Sequence, residues 1–194
     1  FGETQAKDLN EGLVETLDTT QQAVVPYQPD ENTIVLLPFD DPYPMKNLGL
    51  IVTDAENHGS TPIQSANGLK QARHFDGSSY LSIPYNPFLD IKNEITLEAL
   101  VKPDLADSSF VGSFANILTK AGGLCDGFCG YALYVGKSEI GHYIGGMLGL
   151  NNGEYNSVKV WEPLPADEFT HLALTYDGSY LRFFINGELK AEKS

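Results

Sequence analysis

With 194 residues, 42% of them hydrophobic and 11% aromatic, the chain has enough apolar material for a packed core, which excludes disorder of the whole. Lys and Arg number 12 against 26 Asp and Glu, a formal net charge of −14. A field of that sign repels phosphate backbones and anionic lipid, so nucleic acid and membrane surfaces are poor partners, whereas cations are attracted. No apolar run approaches the roughly 20 residues needed to cross a bilayer, which excludes helical membrane insertion.

Residues 1–25 are polar with scattered apolar positions (Leu9, Leu13, Val14, Leu17) and read as a short helix or an arm. Pro26 and Pro29 end any helix there. From Thr33 onward strand signals dominate. Residues 33–39 form a β-branched and apolar run closed by Asp40-Asp41-Pro42, a turn signal. Residues 43–70 are loop-rich. Asp76-Gly77-Ser78-Ser79 is a turn leading into Tyr80-Leu81-Ser82-Ile83. Residues 95–101 alternate cleanly, so Ile95, Leu97, Ala99 and Val101 share one face of a half-buried strand. Glu94 and Glu98 fall on the opposite, solvated side. Short strands follow at 117–118, 131–135 and 146–150. Residues 172–176 and 180–185 pair as a hairpin across Asp177-Gly178-Ser179, and Asn186-Gly187 turns the chain into a further strand. Many short strands at regular spacing give an all-β, two-sheet antiparallel sandwich over residues 26–194, with residues 1–25 as arm or linker.

Four segments, in order, resemble the laminin-G-like jelly rolls of the concanavalin A-like lectin/glucanase superfamily. They are Pro29 to Asp40; the loop Asp54-Ala55-Glu56-Asn57-His58-Gly59; Ala72 to Leu81 with the strand 95–103; and Phe169 to Gly178 followed by Leu181 to Glu188. The resemblance implies a jelly-roll sandwich in an extracellular recognition module for glycan or protein ligands. His171 then opens a core strand as a structural residue. The family continues past its Asn-Gly turn with two more strands, for which Ser194 leaves too little chain. A cut molecule, the arm 1–25, or a neighbour's arm added as a strand each accounts for the gap. The last option makes self-assembly through residues 1–25 the rival to ligand recognition.

Catalytic signatures are missing. Gly-x-Ser-x-Gly, His-Glu-x-x-His and the phosphate-cradling Gly-x-x-x-x-Gly-Lys-Ser/Thr do not occur. The glucanase branch carries Glu-x-Asp-x-Glu on one strand, and no such run exists here, so a hydrolase is not expected. The resemblance points to Ca2+ at the 54–59 loop, where Asp54 and Asn57 offer oxygen ligands; the alternative is that both only cap turns. Trp161, the single tryptophan, with Tyr143, Tyr155, Asn151 and Asn152 in a Gly/Asn-rich stretch, forms a candidate loop-borne ligand site. Its alternative is a Trp161 packed in the core. Cys125 and Cys129, in Cys-Asp-Gly-Phe-Cys, close a small disulfide loop in an oxidising compartment or remain two thiols.

Overall fold

A computed structural model describes residues 27–40, 45–65, 71–103, 113–120, 130–149, 154–166 and 168–194. Two four-stranded antiparallel sheets face each other. One, the back sheet, has the order β12-β11-β10-β5, built from β5 (Ile95–Val101), β10 (Thr170–Tyr176), β11 (Leu181–Ile185) and β12 (Glu188–Lys193). The other, the front sheet, is a meander of β6 (Ser113–Lys120), β7 (Tyr131–Ser138), β8 (Gly141–Gly149) and β9 (Tyr155–Val160). Two short ribbons lie earlier in the chain, pairing β1 (Glu56–His58) with β4 (Tyr80–Ser82) and β2 (Thr61–Gln64) with β3 (Gln71–His74).

Period-two alternation decides which residues fill the space between the sheets. In β5, Leu97 is buried, and Ile95, Ala99 and Val101 pack against the same cluster, the face expected from sequence. The back sheet adds Leu172, Leu174, Leu181, Phe183 and Ile185; the front sheet adds Tyr131, Leu133, Val135, Ile144, Leu148 and Val158. Leu133, Leu172, Leu174, Leu181 and Phe183 are 0% exposed. Each such side chain contributes about 1.5–3 kcal/mol by leaving water. The sheets meet so closely that a Cβ on Gly146 of β8 would overlap the Leu174 side chain of β10.

The hairpin of β10 and β11 pairs Leu172 with Ile185 through Tyr176 with Leu181. Its turn is set by Asp177, whose Oδ1 accepts the backbone N–H groups of Ser179 and Tyr180 at 2.9 and 2.8 Å. The Asn186-Gly187 turn uses left-handed backbone at both residues, φ 49° and 79°, as a tight hairpin between right-twisted strands requires. Asn186 Oδ1 also accepts the His171 N–H at 3.0 Å, so the backbone at His171 is a structural hydrogen-bonding point. The His171 ring lies partly exposed, 3.6 Å from the Glu98 carboxylate.

Two expectations change. Residues 33–39 form no strand, although the N–H groups of Leu48, Leu50 and Ile51 donate to the carbonyls of Leu36, Thr33 and Ile34. The buried Asn47 amide intervenes: Oδ1 accepts the Leu36 and Gly49 N–H groups, and Nδ2 donates to Ile51 O at 2.7 Å. The strand expected at 146–150 begins earlier, at Gly141, and residues 155–160, part of the Gly/Asn-rich stretch, form a further strand of the front sheet.

Candidate functional site

The outward side of the front sheet carries the candidate site. Residues between the core positions of β6–β9 point away from the back sheet, and the register stacks them into rows. One row runs from Phe114 through Gly136 to Tyr143, with Trp161 immediately after β9 at the end of the row. The next runs Asn116, Tyr134, Gly145, Lys159. A third holds Thr119, Ala132, Met147 and Ser157, and Tyr155 stands one row further along β9.

The glycines make this surface possible. A Cβ at Gly136 would overlap the Tyr143 ring, so that ring lies across β7 in the notch Gly136 leaves. A Cβ at Gly145 would overlap the Val158 carbonyl oxygen and sit 2.9 Å from the Tyr134 hydroxyl. Each tyrosine therefore leans over a glycine of the other's strand. The rings join into a strip: Phe114 to Tyr134 at 5.5 Å between centroids, Tyr134 to Tyr143 at 6.3 Å edge-on, and Tyr143 to Trp161 at 5.2 Å. These are the tilted geometries that ring quadrupoles favour.

Exposure is graded along the strip. Tyr134 is buried at its base, and burial pushes its phenol up to about 12, with the Tyr143 and Tyr155 phenols adding to the shift. That hydroxyl therefore stays protonated through the physiological range. Phe114, Trp161 and Tyr155 remain 52%, 49% and 60% exposed. The Lys159 ammonium sits 4.2 Å from the Tyr143 centroid and 5.5 Å from that of Trp161, a cation held over two ring faces.

The structure thus brings Tyr143, Trp161 and Tyr155 onto one face, but on and beside strands rather than on a loop. Trp161 is not a core residue. Asn151 and Asn152 lie outside the described residues, as do Cys125, Cys129 and residues 1–25. Sequence reasoning missed Tyr134, Phe114 and Lys159. The spacing 155, 157, 159, 161 carried part of the signal, because period two puts Tyr155, Lys159 and Trp161 on one side.

In the loop proposed for calcium, both candidate ligands accept hydrogen bonds from protein groups. Asp54 Oδ1 accepts the Asn47 N–H at 3.0 Å. Asn57 Oδ1 accepts from the Ser60 N–H and hydroxyl at 2.9 and 2.7 Å, while its Nδ2 donates to Ser60 O at 3.0 Å. Asn57 thus caps the turn at Ser60, whereas Asp54 ties the loop to Asn47 seven residues earlier, and among the described residues no group of three or more His, Cys, Asp or Glu could hold a metal.

A family model described as the concanavalin A-like lectin/glucanases superfamily matches residues 75–194, which covers β4 to β12 and the whole candidate face. The two earlier segments of the resemblance, 29–40 and 54–59, lie outside that match. No curated protein matches the chain, and no solved structure does.

Proposed function

The chain belongs to the concanavalin A-like lectin/glucanases superfamily, and from that premise we propose that it is a non-catalytic module that binds a glycan on the outward face of β6–β9. The observation that carries this reading is the aromatic strip seated on Gly136 and Gly145, with Trp161 and Phe114 half-exposed at its ends. A group of exposed aromatic rings on a soluble domain marks a binding surface. Ring faces suit the apolar C–H faces of sugars, and the neighbouring Asn116, Ser157 and Lys159 supply polar contacts for hydroxyls. Glycoside hydrolysis needs two carboxylates across the scissile bond. No outward position of β6–β9 is Asp or Glu, which favours binding without cleavage. The role belongs outside the cell, in keeping with the laminin-G-like pattern of the sequence.

The single tryptophan reports on the site directly. A glycan drawn from a broad array is expected to shift Trp161 emission on binding and to remain uncleaved afterwards. Trp161→Ala and Tyr143→Ala each lower its affinity more than about tenfold, with the circular dichroism spectrum unchanged. If no glycan in the panel moves the emission, and a protein ligand competes for none of these residues, the reading fails.

A further inference from the structure

We infer that this face selects an acidic sugar, one bearing a carboxylate or sulfate, and that Lys159 is the residue that recognises the charge; the inference rests on the glycan reading above.

The charge distribution is the first argument. The chain carries 26 acidic residues against 12 basic ones. The outward positions of the back sheet follow that excess, with Glu98 and Glu192 among them. Those of β6–β9 do not: none is acidic, and Lys159 is charged. A strongly acidic protein therefore presents one face whose own charge is positive.

The state of Lys159 is the second argument. Three cations of the two sheets are neutralised by carboxylates. Lys120 bonds Asp90 at 2.6 Å, Lys190 lies 3.3 Å from Glu162 and 3.0 Å from Glu188, and Arg182 binds both Asp177 and Glu192. No ion pair among the described residues involves Lys159. Its ammonium instead rests on Tyr143 and Trp161, the rings on which a sugar would stack. Ring contact holds the stem in place without consuming the charge, and an ammonium carries three N–H donors. A carboxylate or sulfate on a sugar stacked beside Trp161 would meet a positioned charge-assisted donor. A neutral sugar would gain a hydrogen bond from the ammonium but no ion pair.

Calorimetry with matched ligands tests this. The probes are oligogalacturonate and hyaluronan oligosaccharides against their carboxyl-methyl esters, and a sulfated galactan oligosaccharide against its desulfated form. At least one acidic form is expected to bind about tenfold more tightly than its neutral counterpart. Lys159→Met should erase that ratio by lowering the acidic form's affinity about tenfold more than the neutral form's, and Lys159→Arg should keep it. Equal binding of both forms, still lost in Trp161→Ala, overturns the charge selection and leaves the glycan site standing. A preference that survives Lys159→Met overturns the role of Lys159. If neither form of any pair binds and the wider array is silent too, the glycan reading falls with it.

Discussion

At the scale of single residues, the two glycines under the tyrosine rings act differently, and the difference is measurable. At Gly136 an added methyl meets the far end of the Tyr143 ring, a group able to swing away. Gly136→Ala should therefore tilt Tyr143 off its seat and separate it from Trp161. Glycan affinity then falls several-fold, and Trp161 emission shifts even without ligand, while unfolding in urea loses no more than about 1 kcal/mol. At Gly145 the methyl meets the Val158 carbonyl, which belongs to the β8–β9 ladder. Gly145→Ala must move backbone, so it should cost about 1–3 kcal/mol of stability along with the site. Equal stability losses in the two variants would show that the ring is as immobile as the ladder. Part of the candidate face was legible at this scale. Tyr143, Tyr155 and Trp161 stood out as aromatic residues in a polar stretch. Tyr134 did not, because Tyr131 to Gly136 is buried on both faces, and such a strand reads as core throughout. Lys159 was hidden for another reason: a lone lysine gains meaning only from the rings beside it.

At the scale of elements, β5, β10 and β11 were legible because half-buried strands print their alternation directly into the sequence. Of the short ribbon strands, β4 was legible as the run after the Asp76 turn, and β1, β2 and β3 were not. Those three are three or four residues long and mostly exposed, so no apolar period marks them and pairing alone defines them. Residues 33–39 erred in the opposite direction. Their composition favours a strand, but Asn47 takes the Leu36 N–H that a ladder would use. Turns were read best, since Asp-Gly-Ser sequences carry their own hydrogen-bond logic. That logic has a pH signature. The backbone N–H of Tyr180, followed by Arg182 and the Ser179 N–H, holds the Asp177 carboxyl at about 2, below its ordinary 3.8. Asp76 is likewise held down, by the N–H and hydroxyl of Ser78 and those of Ser79. A carboxyl depressed in the folded state favours folding above its ordinary value and loses that advantage as pH falls toward the folded value. Asp177→Asn keeps an acceptor for the turn and removes the titration, along with the Arg182 ion pair. Its Tm should lie below that of the unaltered protein at pH 6, and the gap should close between about pH 4 and pH 2. A gap independent of pH would assign the loss to turn geometry alone.

At the scale of the whole molecule, the sandwich separates two electrostatic roles. The net charge of −14 acts over distance, whereas Lys159 acts at contact. Which one an acidic ligand experiences depends on the screening length, about 30 Å at 0.01 M salt and about 8 Å at 0.15 M. At low salt an approaching acidic oligosaccharide feels the whole acidic protein and is repelled. At physiological salt that long-range term is damped, and only the nearby, carboxylate-free face remains within reach. Association measured by stopped-flow Trp161 fluorescence should therefore speed up as salt rises from 0.01 to 0.15 M, opposite to the usual slowing of an attractively steered pair. The neutral counterpart should associate at a rate that salt leaves unchanged. Lys159→Met should preserve the salt dependence of association, because the distant charges are untouched, and should raise the dissociation rate, because the contact is lost. If association of the acidic ligand instead slowed with added salt, attraction by the face would already dominate at long range, and the division between distant repulsion and contact selection would be wrong.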